Sequence, residues 1–268
     1  MAEVITSKNN DTVKFLASLS EKGTREHTGS FVMEGKRSVY EAVEAKVATQ
    51  IVVSQAYTRT KDYSAVSKWH LPVTVLSDAM FQRVSETKTP QGILAVCKIR
   101  KYDLQAVLKE EDSILLLEDV RDPGNMGTII RIADWFGINN IFASKNTVDV
   151  FNPKVVQATM GALARVRIHY VDLPQWLAER IRRRESEVSS PIYGTLLDGR
   201  NMYEEGAISN KAQGIIIMGN EGNGISEEVR RFITHPLYIP SYKQSEGEVV
   251  ESLNVSIATA IILAEFRR

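Results

Sequence analysis

The stretch "SILLLEDV" (Ser113–Val120) constrains the fold more than any other part of the chain. An apolar run without alternation marks a parallel strand buried on both faces, and parallel strands need a crossover to return the chain. The sequence supplies one at once. "DPGNMGTIIRIADWFG" places Ile129, Ile132, Ala133 and Phe136 at helical spacing, with Gly137 as a stop, and "NNIFAS" follows as the next strand. Together they make a βαβ unit. Further on, "IYGTLLDG", "GIIIMG" and "PLYIP" read as strands, and "LNVSIATAIILAEF" as a buried helix of small and apolar residues. Strands alternating with helices predict an α/β fold with a mostly parallel sheet.

Ahead of this lies a smaller α/β unit. "FVMEGKRSVYEAVEAK" predicts a strand end and an amphipathic helix, and "TQIVVSQAYT", "LPVTVLS" and "QGILAVCKI" are β-like. The charged stretch "RKYDLQAVLKEEDS" separates the two, which gives domains 1–104 and 105–268. The chain is neutral overall, yet residues 1–104 hold 15 Lys+Arg against 11 Asp+Glu and the rest hold 18 against 22. A positive first part suits a polyanionic partner. Ordinary surface variation accounts for it equally well.

Composition excludes several classes. With 43% hydrophobic and 25% charged residues the chain reads as a soluble globular protein. Its single cysteine, Cys97 in "ILAVC", rules out an internal disulfide framework and reads as a small core residue. His27, His70, His169 and His235 show no metal-ligand spacing, so no metal is expected. No stretch approaches the ~20 apolar residues of a membrane span, and "MAEVITSKNNDTVK" has no apolar run of signal-peptide length. A cytoplasmic protein without a membrane partner is expected.

Chemistry concentrates in three loops. The first, in "LEDVRDPGNMGTIIRIADWFG", has the strand–loop–helix layout of a nucleotide site but no phosphate fingerprint; instead it carries Asn125, and Arg131 on the helix. In the second, "GIIIMGNEGNGISEEVRR", a buried strand runs into Gly219, Asn220, Glu221, Gly222, Asn223 and Gly224. Ser226 is placed to cap the next helix, with Glu227 and Glu228 in its first turn. The spacing is G-x-x-G-x-G rather than G-x-G-x-x-G, and the acidic residues would repel a pyrophosphate. That disfavours a nicotinamide-linked oxidoreductase and suits an adenosine-like, cationic ligand without phosphates. A strand-to-helix turn that simply needs glycine is the alternative. The third loop, "ESLNVSIATAIILAE", puts Ser252, Leu253 and Asn254 at the mouth of the buried helix, where Ser or Asn also serves as an N-cap. The run "RIRRRESE" (Arg180–Glu187) reads as a solvated helix end.

In this order the three stretches resemble the SPOUT superfamily of methyltransferases, specifically the TrmH (SpoU) family of RNA 2′-O-ribose methyltransferases. "FVMEGKRSVYEAV" and "TPQGILAVCK" resemble the ribosomal-protein-like substrate-binding domain that many members carry, so the likeness covers nearly the whole chain. It implies a deep trefoil knot in the catalytic domain, a feature that general topology rules would not anticipate. It also implies S-adenosylmethionine as cofactor, a homodimer through the knotted domain, and ribosomal or transfer RNA as partner, with the amino-terminal domain favouring ribosomal RNA. Carried over by motif, the cofactor pocket comprises Thr195, Leu196, Gly219, Asn220, Glu221, Gly222, Ile239, Pro240, Leu253 and Asn254. The catalytic positions are Asn125, Arg131, Glu221, Ser252 and Asn254, and Lys8, Lys14, Lys36 and Arg37 would grip RNA phosphates.

The sequence departs from the family pattern in "SYKQSEGEVVE", a longer segment than usual between "IP" and "SLN", which bears on Ile239, Pro240 and Gly247. The resemblance makes Arg131 a general base. Arginine stays charged at neutral pH, so a guanidinium that binds the adjacent phosphate and stabilises alkoxide charge is the alternative role. Asn125 would orient Arg131 or the ribose, Glu221 would hold the guanidinium or the cofactor, and Ser252 and Asn254 would fix the nucleophile and the loop. A catalytically silent RNA-binding assembly factor or chaperone on the same fold is the second reading, motivated by the long segment.

Overall fold

The computed structural model describes residues 3–103, 114–183, 191–208, 214–242 and 252–268. The chain forms two compact units, Met1–Lys101 with Asp149–Arg165, and Tyr102–Val148 with Val166–Arg268.

The first unit is built on a five-stranded sheet of β1 (Val4–Ile5), β2 (Ser30–Glu34), β3 (Ala48–Ser54), β4 (Val73–Leu76) and β5 (Ile93–Lys98), in the order β1-β4-β3-β5-β2. β1, β4 and β3 run parallel, and β5 is antiparallel to both β3 and β2. Helices cover it where the sequence offers a cap and an apolar stripe. Asn10 accepts from Thr12 N to start the helix Asp11–Ser18, and Ser77 caps Asp78–Val84. Their buried Val13, Leu16, Phe81 and Val84 pack with Val52, Leu76, Leu94 and Val96 of the sheet. Cys97 is buried here, which pushes its thiol up, as expected of a core residue.

The stretch Asp149–Arg165 belongs to this first unit although it lies between two strands of the other. Arg25, 3% exposed, fixes it: the guanidinium donates to Leu19 O (2.9 Å), Ser20 O (2.6 Å) and Asp149 Oδ2 (2.7 Å). Phe151 packs against Phe31 with ring centroids 4.8 Å apart, and Arg165 pairs with Glu41.

The second unit holds a six-stranded sheet of β6 (Ile114–Leu117), β7 (Asn140–Ser144), β8 (Arg167–Val171), β9 (Ile192–Asn201), β10 (Ile215–Met218) and β11 (His235–Tyr238). The order is β11-β9-β10-β6-β7-β8 and every neighbouring pair is parallel. All residues of β6 and β10 are buried, as strands covered on both faces must be. One face packs Ile114, Leu116, Phe142, Ile215 and Ile217 against Leu173, Trp176 and Leu177 of the helix Leu173–Arg183. That helix corrects one sequence expectation. Arg180 is not a solvated end; it is 6% exposed with its guanidinium 5.5 Å from the Trp176 ring centre, because four residues along a helix return to the same face. Arg184–Glu187, the rest of that run, lies outside the described residues.

Two long helices run side by side in the second unit. Asp122 caps Pro123–Trp135, here the motif helix, which buries Met126, Ile129, Ile130 and Ala133. Ile132 and Phe136, expected on the same apolar face, are half-buried. Gly137 ends the helix at φ 70°, as its position suggested. The C-terminal helix Val255–Arg267 buries Val255, Thr259, Ile262, Leu263 and Phe266. The two run parallel: Asn254 meets Asn125 at their starts, and Arg267 Nε donates to Phe136 O (2.9 Å) at their ends. Both amino-terminal ends therefore open on one place.

Candidate active site

That place is where the strand order reverses. The chain lays β6, β7 and β8 in one direction and then builds β9, β10 and β11 on the other side, so β6 and β10 are neighbours at the switch. In open parallel sheets the crevice outside the carboxyl ends at such a point is where ligands bind.

Two loops leave the sheet there and are bonded to each other. Glu118 accepts from Ser226 Oγ (2.6 Å) and Ser226 N (3.0 Å). Asn220 Nδ2 donates to Asp119 O (2.8 Å). Asp119 adopts a left-handed conformation, φ 56°, and its own N–H donates to Ser144 Oγ (2.9 Å). A non-glycine residue at positive φ carries a backbone cost that surrounding bonds must hold in place.

The glycine loop closes on itself. Asn220 and Gly224 exchange backbone hydrogen bonds of 3.0 and 2.9 Å, and Asn220 Oδ1 accepts from Gly222 N (2.8 Å) and Asn223 N (3.1 Å). A Cβ on Gly219 would lie 2.4 Å from the Gly224 carbonyl carbon, so the loop cannot form with a side chain there. The N–H groups of 220, 222, 223 and 224 are thus spent inside the loop rather than offered to a phosphate. Residues 221–224 of the loop are exposed, and Glu221 is the charged one among them.

Asn254 links this loop to both helices. As N-cap its Oδ1 accepts from Ser256 N (2.9 Å), Ser256 Oγ (2.6 Å) and Ile257 N (3.4 Å). That fixes the amide, so Nδ2 must point outward, where it donates to Asn125 Oδ1 (2.9 Å). Asn125 is polarised in turn: its Nδ2 donates to the Glu221 carboxylate, while its backbone N donates to Asp122 Oδ1 (2.8 Å). The helix cap therefore sets a one-way chain of donors that ends on a carboxylate, and it brings together Asn125, Glu221 and Asn254 of the residues the resemblance singles out.

Arg131 does not join them. Six residues advance about 9 Å along a helix and about 240° around it, so Arg131 leaves the motif helix from a different face than Asn125. It is exposed and makes no hydrogen bond or ion pair among the described residues. Trp135, four residues on and 84% exposed, shares its face. Ser252 is exposed and without a hydrogen bond among the described residues.

The other expected pocket positions line the same sheet edge. β9 pairs with β11 at Gly194 and again at Arg200, so Thr195–Gly199 bulges out of the ladder. Gly199 permits this, since a Cβ there would lie 2.5 Å from the Leu237 carbonyl carbon. Thr195 Oγ1 donates to Ile217 O (3.5 Å), Leu196 packs on the core and Leu197 is 72% exposed. Ile239 and Pro240 follow β11 half-buried, and Leu253 is 46% exposed. Gly247 and the remainder of 243–251 lie outside the described residues. In the first unit Lys8 and Arg37 are exposed, Lys14 is 3.6 Å from Asp11, and Lys36 pairs with Asp62, whose hydrogen bond and charge raise the Lys36 pKa.

Sequence reasoning missed Glu118, Asp119 and Asp122. A signal was present: three carboxylates within five residues directly after a fully buried strand. Among the described residues no group of three or more His, Cys, Asp or Glu could hold a metal, and no helix is long and apolar enough to cross a membrane.

Comparison with known proteins bears on the fold and the family. Residues 112–264 match the SpoU rRNA Methylase family and residues 10–95 the MRM3-like substrate binding domain. The chain is 31% identical over 264 residues to the 23S rRNA (guanosine(2553)-2′-O)-methyltransferase RlmP of Bacillus subtilis, covering 98% of each. A Porphyromonas gingivalis chain assigned to the TrmH family of RNA methyltransferases superposes with TM-score 0.80 at 39% identity, over 97% of this chain and 98% of that one. An rRNA methyltransferase from Sinorhizobium meliloti with AdoMet bound gives TM-score 0.80 at 26% identity over 99% and 97%. The α/β fold with its parallel sheet, the three loops and these matches lead to one conclusion: the chain belongs to the SpoU rRNA methylase family.

Proposed function

We propose that this protein transfers the methyl group of S-adenosylmethionine to the ribose 2′-hydroxyl of a structured RNA, ribosomal rather than transfer RNA. The observation that carries the reading is the Asn254→Asn125→Glu221 donor chain at the strand-order switch. The cofactor fits the donor set. A loop that uses the N–H groups of 220, 222, 223 and 224 internally and whose exposed charge is a carboxylate suits a cationic nucleoside without phosphates. Thr195, Leu196, Gly219–Gly222, Ile239, Pro240, Leu253 and Asn254 would hold it, and when bound it supplies an electrophilic methyl carbon on a sulfonium.

What the chain must add is position and charge. Asn125, its amide fixed by Asn254 and Glu221, orients the ribose; positioning of this kind is worth several kcal/mol, up to about 7–11. Ser252 hydrogen-bonds the nucleophile. Arg131 binds the phosphate next to the reacting ribose and stabilises the alkoxide as the hydroxyl loses its proton. Lys8, Lys14, Lys36 and Arg37 grip phosphates elsewhere on the RNA. Residues 1–104, the unit to which Asp149–Arg165 also packs, form the substrate-binding domain, and the rest of 105–268, with the trefoil knot the family resemblance implies, forms the catalytic domain.

The protein works in the cytoplasm as a homodimer. The exposed Trp135 and Ile257, on the two parallel helices, support a second copy as occupant of that face. Arg131 shares the face with Trp135, so dimerisation brings it to an interface where a second copy's ribose site can use it. The silent assembly-factor reading is disfavoured, since Asn125, Arg131, Ser252 and Asn254 of the motifs are all present.

The test is calorimetry with S-adenosylmethionine, followed by methyl transfer to unmodified ribosomal and transfer RNA. Binding with transfer to ribosomal RNA is expected. No binding at millimolar cofactor refutes the reading, and tight RNA binding without transfer favours the assembly factor.

A further inference from the structure

Among the described residues, the polar network at the strand-order switch reaches the Arg121 guanidinium and not that of Arg131. Arg121 lies between Asp119 and the cap residue Asp122, in the loop that leads to Asn125. Its Nε donates to Asp119 Oδ1 (2.8 Å) while its side chain remains 69% exposed against 19% for Asp119. Asp119 is held from three sides: by its left-handed backbone, by Ser144 Oγ at its N–H and by Asn220 Nδ2 at its carbonyl. Asn220 precedes Glu221, which bonds Asn125. A pinned acid at positive φ thus grips the Nε edge of a guanidinium whose side chain is largely exposed, in the loop that leads to Asn125.

An exposed ion pair two residues apart contributes little to stability, so stability does not account for a strained residue that steers it. Recognition does. A guanidinium with Nε occupied still offers two parallel Nη donors, a fork that matches phosphate oxygens. The charge is secure, because the neighbouring carboxylate raises the Arg121 pKa further.

We infer that Arg121, oriented by Asp119, binds a backbone phosphate of the RNA flanking the target ribose. This rests on the proposed RNA methyl transfer. It assigns substrate binding to Arg121 and leaves the transition-state role to Arg131. Arg121 is a substrate-contacting residue and Asp119 a positioning residue.

The experiment compares wild type with Arg121→Met, Arg121→Lys and Asp119→Asn on unmodified 23S rRNA transcribed in vitro. It reads initial-rate kinetics and the salt dependence of RNA binding. Arg121→Met is expected to raise KM for RNA about tenfold with kcat nearly unchanged, and to lower the salt slope of binding by about one. Arg121→Lys should restore the slope but only part of KM, because it keeps the charge and loses the fork; Asp119→Asn should fall between. Cofactor affinity by calorimetry should be equal in all four. An unchanged salt slope in Arg121→Met overturns the inference, as does a loss confined to kcat. If wild type binds RNA but transfers no methyl group, the proposed reaction fails, while Arg121 still stands or falls on the slope.

Discussion

Asn125 and Arg131 belong to one motif and one helix, yet they live in different surroundings. Asn125 sits at the capped start, its amide locked between Asn254 and the Glu221 carboxylate. Arg131 projects from another face into solvent, unpaired among the described residues and next to the exposed Trp135. One end of the helix is organised before any ligand arrives; the other face is left for something that comes to it. A rigid polar chain suits a small cofactor and the ribose it reacts with, whereas an open charged face suits a macromolecule or a second copy.

Substitutions can break this contrast at either end. The largest effect is expected from Arg131→Ala, a fall in kcat of about 10²–10³, the range found when a group stabilising transition-state charge is removed. Methyl-transfer rates check it, and an unchanged melting temperature would show that Arg131 does no work in the fold. Next comes Asn125→Asp, which sets a second carboxylate against Glu221. Transfer should fall roughly tenfold or more, by the like-charge penalty and the lost donor. Stability should hardly move, since acidic side chains are favourable in a first helical turn. A variant that keeps wild-type rates would remove Asn125 from the site.

Trp135→Glu sharpens the open-face side of the comparison. A buried aromatic contributes about 1.5–3 kcal/mol, so charge at this position should weaken a dimer by at least about tenfold. Sedimentation velocity reads that shift, and a monomeric wild type would dismiss the dimer. The smallest effect is expected from Asn254→Ala. Loss of the cap costs about 1 kcal/mol, within 0.5–2, seen as a modest drop in thermal unfolding midpoint. Because Asn254 also polarises Asn125, transfer should fall further than that stability loss explains.

Much of this molecule was legible in its residues. The runs "ILLL" and "IIIM" read as buried strands and are so, and Gly137 and Ser226 marked helix ends where they stand. Apolar patterning and capping are local, so a linear reading finds them. Arg180 was misread for the converse reason: a charged run looks solvated until Trp176, four residues earlier, is seen to lie beneath it. The grouping of Asp149–Arg165 with the first unit rests on Arg25 and Phe31, more than a hundred residues away.

The sequence by itself placed the candidate residues Asn125, Glu221 and Asn254 in loops after buried strands, because their types and spacing resemble a family. Only the tertiary structure decided how they act together. Parallel strand order brings loops a hundred residues apart to one crevice, where Glu118 bonds Ser226 and Asn220 bonds Asp119. Helical rotation, about 100° per residue, then decides that Asn125 enters that crevice and Arg131 does not. Hydrogen-bond direction and side-chain facing depend on partners distant in the chain, and no local pattern carries them.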